Sequence, residues 1–181
     1  MSGLLREGNR VWLSKSNNPK RKLKYTLQII RDNKSKVGVN THLTNKIVLH
    51  ALSNNLIEEF DEDIVIKPET KFGSNTRFDF LITKNKFKAF IEVKNVSLSR
   101  TIGLAEFPDA VTSRGLKHIN ELMKASKNGY KIFILYLIQR DDCNFFKIAK
   151  DIDSEYSNSL AKAVKTKLNI LCYDCKFSSK G

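Results

Sequence analysis

The sequence predicts an α/β protein in which a mixed central sheet carries helices on both faces. Three observations lead there. After residue 43 the segments read helix, three strands, helix, strand, helix, strand. Three strands in succession followed by helical crossovers build a mixed sheet covered on both sides. The run YKIFILYLIQ, residues 130–139, is almost wholly apolar, as a strand buried on both faces requires. A chain of 181 residues with 41% apolar and 28% charged side chains has the composition and size of one ordinary folded domain with room for a small appendage.

The elements follow in order. RVWLSKS alternates as a strand, SNNPKRKLK is a basic loop, and YTLQII and KVGVN are two more strands around the turn RDNKSK. These roughly forty residues are too few to enclose a core, so residues 1–40 must lean on residues 41–181 or on a partner. TNKIVLHALSNNLIEEF places Ile47, Val48, Ala51 and Leu52 on one helical stripe, with Thr44 positioned to cap it. EEFDEDI is an acidic connector. IVIKPETKFG is a strand ended by Gly73, and RFDFLIT with FKAFIEVKNV forms a hairpin. LSRTIGLAEF reads as a loop. PDAVTSRGLKHINELMKASKNG reads as the longest helix, with Pro108 near its first turn, Val111, Ile119 and Leu122 as the buried stripe, and Gly129 at its end. DSEYSNSLAKAVKTK is a further helix and LNILCYDCKF a last strand.

Charge and cysteine content narrow the function classes. The formal net charge is +13, concentrated in residues 1–40, which are net +8, while residues 41–66 are net −4. Clustered Lys and Arg point to a polyanionic partner, nucleic acid above all. Lys15, Lys20, Arg21, Lys22 and Lys24 gather around one loop near Trp12 and Tyr25, a combination of cations and aromatic platforms suited to phosphate backbones without strong sequence preference. The three cysteines, Cys143, Cys172 and Cys175, argue against a disulfide framework, and no second CxxC or HxxxH completes a zinc site around CYDC. No apolar run approaches the ~18 residues of a membrane span. MSGLLREGNR lacks the apolar region and cleavage site of a signal peptide. A cytoplasmic protein with no membrane partner is the default expectation.

The hairpin carries the candidate chemistry. A two-residue turn at Lys84–Asn85 sets Asp79 opposite Phe90, and one at Asn85–Lys86 sets it opposite Glu92. Both put Asp79, Glu92 and Lys94 on one sheet face, whereas an odd loop or a bulge separates them. Neighbours on such a face lie ~4.5–8 Å apart. Two carboxylates at that spacing can share a hard divalent cation, Mg²⁺ or Mn²⁺, and a nearby ammonium suits phosphodiester hydrolysis. The same residues also suit a merely solvated face with weak surface pairs.

Asp79 with IEVKNVSL and FPDAVTSRGLKHINELM, extended by NNPKRKLKYTLQII and VGVNTHLTNKIV, closely resembles the sugar fermentation stimulation protein A (SfsA) family, over nearly the whole chain. FPDAVTSRG followed by KH is the specific signature. The resemblance implies a PD-(D/E)xK nuclease-like, restriction-endonuclease-like core over residues 41–181, preceded by a partial OB-like DNA-binding segment over residues 1–40. It implies DNA binding linked to regulation of sugar-utilisation genes, with metal-dependent DNase activity as one outcome and a non-catalytic DNA-binding regulator as the other. Carried onto this chain, it makes Asp79 and Glu92 the metal carboxylates and Lys94 the catalytic lysine. It also turns Arg114 and His118, four apart on the long helix, towards the same site. Relatives carry a Glu where this chain has His50. The stretch MSGLLREGNRVWL matches the middle of the family's N-terminal domain, so about half of that barrel is expected to be absent, with several residues after CKFSSKG.

Overall fold

The computed structural model describes residue 4, residues 6–60 and residues 62–178. Residues 1–3, Leu5, Asp61 of the acidic connector and the SKG end of the chain lie outside the described residues. Three short strands open the chain: β1 (Val11–Lys15), β2 (Tyr25–Asp32) and β3 (Ser35–Gly38). They form an antiparallel sheet in the order β1-β2-β3. Its small core of Leu4, Ile30, Val37 and Val39 is what a segment of this size can manage, and the rest of its stability comes from the body of the protein. Val37 bridges to Arg140 and Gly38 N donates to Gln139 O at 2.9 Å. The buried Arg140 guanidinium closes the joint, donating to Asp142 at 2.7 and 2.8 Å, to Asp32 at 3.3 Å and to Ser97 O at 3.1 Å. A buried guanidinium is tolerated because these acceptors take up its donors.

The helices and the strands of the main sheet follow the predicted order, with three further strands added to it. After a short 3-10 turn capped by Asn40 come α1 (Thr44–Ser53), β4 (Val65–Phe72), β5 (Thr76–Lys84), β6 (Phe87–Val96), β7 (Leu98–Thr101) and β8 (Leu104–Phe107). Then follow α2 (Ser113–Lys127), β9 (Lys131–Ile138), β10 (Phe145–Ile148), α3 (Ser154–Val164) and β11 (Leu168–Asp174). The main sheet has the order β11-β9-β6-β5-β4, with β6, β9 and β11 parallel and β4, β5 and β6 antiparallel. β4 is an edge strand, which tolerates the missing N–H of Pro68. One face packs Ile119, Leu122 and Ala125 of α2 and Tyr156, Leu160 and Ala163 of α3 against Phe90, Ile132, Ile134 and Tyr136. The other packs Val48 and Leu52 of α1 against Phe80, Ile82, Ile91, Val93 and Leu135. β9 therefore faces apolar layers on both sides, as its composition requires.

Three local expectations are corrected. LSRTIGLAEF is not a loop: β7 and β8 pair as a hairpin, and β10 joins β8 in parallel to make a second three-stranded sheet. Arg100 and Lys147 converge on the buried Glu106 of that sheet. α2 begins at Ser113, with Thr112 as the N-cap accepting from Gly115 N at 3.0 Å. Pro108 and Asp109 therefore precede the helix, and Val111 is 78% exposed, outside the stripe. Thr44 does not cap α1; it is buried and donates to Asn95 Oδ1 at 3.3 Å.

Candidate active site

The β5–β6 hairpin turns at Asn85–Lys86, since Lys84 pairs with Phe87 and the register runs to Phe80 opposite Ile91. Asn85 supplies the positive φ of +52°, which Asn tolerates better than most residues. Of the two even-length registers, this one brings Asp79 level with Glu92. The ladder is interrupted there. Phe78 packs in the α2–α3 core and Phe80 in the α1 core, although residues two apart on a regular strand share a face. Across from Asp79 on β4, Glu69 has φ +51°, between the regular rungs Pro68–Phe80 and Thr70–Phe78.

This break decides where Asp79 points. Its Oδ2 accepts the backbone N–H of Val93 at 2.7 Å, and its Oδ1 accepts Nδ2 of Asn45, on α1, at 2.7 Å. The carboxylate sits in the gap where β5 leaves β6, so the expectation of one common face holds for Glu92 and Lys94 but not for Asp79. The two acids still interact. Burial, and then the Glu92 charge, pushes the Asp79 carboxyl up to about 6.

Glu92 is buried beneath α2. Its Oε1 receives Lys94 Nζ at 2.7 Å and also the ring Nδ1 of His118. A carboxylate only accepts, so His118 donates through Nδ1. Burial alone would raise the Glu92 pKa, but the His118 hydrogen bond and the Lys94 charge outweigh it and hold the carboxyl below its ordinary value. Its other oxygen, Oε2, is buried with no protein partner among the described residues. On the same side of the sheet, the buried hydroxyls of Tyr136 and Tyr156 share a 2.5 Å hydrogen bond.

α2 is held in place at its start. Asp153, the N-cap of α3, accepts Tyr156 N at 2.9 Å through Oδ1 and Thr112 N at 2.8 Å through Oδ2, tying two helix N-termini together. Gly115 allows this approach: a Cβ there would meet Thr112 Oγ1 at 2.8 Å and the Tyr156 ring at 3.1 Å. The glycine therefore serves the contact with α3 rather than with the sheet. Arg114 lies one turn before His118, exposed, with no ion-pair or hydrogen-bond partner among the described residues.

Lys94 and His118 thus both touch Glu92, Asp79 adjoins it, and Arg114 lies one turn before His118. His50 is not at the site. It is exposed near the end of α1, beside Asn54 at 3.3 Å, and borders an apolar groove of about 430 Å³ between α1 and β11. The α1 residue that reaches Asp79 is Asn45, which the sequence reading passed over. Its only signal was a place one residue off the buried Thr44–Val48–Leu52 stripe.

The basic N-terminal residues Lys15, Lys20, Arg21, Lys22 and Lys24 are all exposed, at the end of β1 and along the β1–β2 connection. Asn18 Oδ1 shapes this loop by accepting Lys20 N at 3.0 Å. Tyr25 is 55% exposed. Trp12 differs from expectation: Arg10 and Lys36 lie over its ring at 5.3 and 6.0 Å, so the chain's own cations engage it. The three cysteines carry free thiols. No helix among the described residues is long and apolar enough to cross a membrane.

Comparison with known proteins places this architecture. Residues 42–181 match the family model described as the sugar fermentation stimulation protein RE domain, and residues 1–39 match the SfsA N-terminal OB domain. The chain belongs to the SfsA family. Among its SfsA relatives, the sugar fermentation stimulation protein homolog of Pelagibacter ubique is 55% identical over 180 residues, covering 99% of this chain and 78% of that protein. The homolog of Brucella anthropi is 41% identical over 181 residues, covering 99% and 78%. The solved structure of Pyrococcus furiosus SfsA in complex with Ca²⁺ superposes with a TM-score of 0.84 at 25% identity, over 94% of this chain and 72% of that one.

Proposed function

We propose that this SfsA protein binds DNA and hydrolyses phosphodiester bonds at the Asp79–Glu92–Lys94 site with the help of Mg²⁺ or Mn²⁺. One observation carries the reading. Glu92 is held ionised by Lys94 and His118 through one oxygen, while its second oxygen is buried without a partner among the described residues, beside another carboxylate that Glu92 itself disfavours. Such an arrangement is unfavourable in a bare protein and fits a cation. The donor set is hard oxygen, suited to Mg²⁺, Mn²⁺ or Ca²⁺, and the P. furiosus relative was solved as a Ca²⁺ complex.

Asp79 and Glu92 are the residues that would hold the ion. When bound, such an ion neutralises phosphate charge and lowers the pKa of its water. Lys94, fixed against Glu92, places an ammonium beside the site, where it can stabilise charge that develops on the phosphoryl oxygens. His118 orients the Glu92 carboxylate. The exposed loop of Lys20, Arg21 and Lys22 would contact the DNA backbone away from the chemistry.

A second reading, DNA binding without cleavage, is favoured by one feature: among the described residues no group of three His, Cys, Asp or Glu side chains is disposed around a metal. Against it, Mg²⁺ is commonly held by one or two carboxylates together with substrate phosphates. Glu92→Gln separates the readings. On the nuclease reading the wild type cuts DNA in Mn²⁺ and the variant loses at least about a hundredfold in rate, while binding in EDTA persists or tightens as a carboxylate charge is removed. A wild type that binds but never cuts supports the regulator. A variant that cuts as fast as wild type removes the site from the account.

A further inference from the structure

The two edges of the main sheet differ. β4 is guarded: Lys67, Pro68 and Lys71 lie on it, and the positive φ of Glu69 interrupts its ladder. Such features discourage a further strand from pairing. β11, at the opposite edge, has none of them. Its residues LNILCYD include no Pro, Lys or Arg, and its outer side has no backbone partner among the described residues. Main-chain groups alternate in direction along a strand. Cys175 N donates inwards to Ile138 O, so Ile170 and Cys172 send their N–H and C=O groups outwards. Their side chains stand on the α2–α3 face, level with Ile134 and Tyr136.

This edge leaves apolar surface in water. Ile170 is 41% exposed, Val164 at the end of α3 is 43% exposed, and Phe145, which shares a hollow with Cys172 and Asp174, is 73% exposed. Charge is graded along the same edge. Lys165, Lys167 and Lys131, the last level with Lys167, stand at its start, exposed and without ion-pair partners among the described residues. At its end are Asp174, Glu58 and Glu59. Tyr173 holds the two glutamates there, its hydroxyl accepting Glu58 N at 3.1 Å and donating to Glu59 at 2.5 Å. Lys176 offsets one of these three charges.

We propose that β11 is a self-association edge: β11 of a second copy of this chain pairs with it antiparallel, about a two-fold axis at Leu171, and joins the two main sheets into one. Hydrogen-bonded pairs of antiparallel strands form between residues whose main-chain groups face each other. Ile170 then lies opposite Cys172 of the second copy, and Leu168 opposite its Asp174. Charge selects this occupant. Reversing the strand direction sets the acidic end of each copy beside the basic end of the other, twice over, as an isologous contact requires. A net charge of +13 opposes association elsewhere on the surface, whereas Asp174 is the only charged residue within β11.

The test is sedimentation equilibrium of the full chain, without nucleic acid. The wild type should have twice the chain mass. Ile170→Lys puts a cation on an exposed edge position; it should leave the circular dichroism unchanged and weaken dimerisation at least about tenfold. Asp174→Lys should also weaken it, and adding Lys167→Asp should restore it, a rescue that mere destabilisation of the strand would not give. Ile170→Cys reads the register. Set opposite Cys172 of the second copy, with Cα atoms about 5.5 Å apart, it should form a covalent dimer on oxidation. A wild type of single-chain mass at every concentration overturns the proposal, even if a foreign extended peptide then binds the edge. A dimer that Ile170→Lys leaves intact overturns it as well. Oxidised Ile170→Cys that stays a non-covalent dimer overturns the two-fold axis at Leu171.

Discussion

Asn45 Nδ2 donates to Asp79 Oδ1 at 2.7 Å, so α1 reaches across the sheet edge to fix the first carboxylate of the site. The bond also favours the ionised form of an acid whose burial disfavours it. Asn45→Ala leaves a half-buried oxygen without its donor, and the variant should lose about 1–2 kcal/mol in urea unfolding. Asn45→Asp should be less stable still without metal, because a third carboxylate joins the site. Its Ca²⁺ affinity by calorimetry should rise. If both variants bind Ca²⁺ as the wild type does, Asn45 supports the fold and not the site.

Asp79 and Glu92 predict opposite pH dependences. The Asp79 carboxyl is raised from 3.8 to about 6, so its contribution to stability is complete below about pH 4 and is lost as pH rises through about 6. The full shift corresponds to roughly 3 kcal/mol. Glu92 is held below its ordinary value; its contribution is present above the normal carboxylate range and disappears as pH falls below it. Melting curves from pH 4.5 to 7.5 should show the metal-free protein losing stability towards neutral pH. Added Ca²⁺ should restore it, increasingly above about pH 6, where Asp79 ionises. A Ca²⁺ effect that is constant across this range contradicts the assignment.

Gly115 is where α2 meets α3, and a methyl group there has no room. Gly115→Ala gains helix propensity of up to about 1 kcal/mol but overpacks against Thr112 and Tyr156, at about 1–3 kcal/mol. The variant should fold with a lowered melting temperature. It should also lose cleavage more than binding, since a shifted α2 moves His118 off Glu92. An unchanged rate would show that the helix absorbs the methyl group without moving His118.

The N-terminal loop should act through charge alone. Replacing Lys20, Arg21 and Lys22 by Ala should weaken all duplex sequences alike and flatten the salt dependence by about 0.9 per lost contact. Equal affinity for wild type and variant would mean that this loop does not meet the DNA. A loss confined to one sequence would indicate base readout rather than backbone contact.

The sequence alone determined whatever depends on local periodicity. The alternation of FKAFIEVKNV placed Glu92 and Lys94 on one face, whereas the turn of His118 towards them was implied by the family resemblance and not by spacing. A continuous apolar run marked β9 as a strand buried on both sides. The tertiary structure decided whatever depends on partners distant in sequence. β10 pairs with β8 across some forty residues, and the joint at Arg140 recruits Asp32 from the N-terminal sheet. Neither leaves a periodic trace. Asp79 shows both limits at once: its residue type and a choice of two registers were legible, but neither the register nor its direction was. That direction comes from the break opposite Glu69 and from the hydrogen bonds of Val93 and Asn45, and a side chain's hydrogen-bond partners are settled only when the elements that carry them pack.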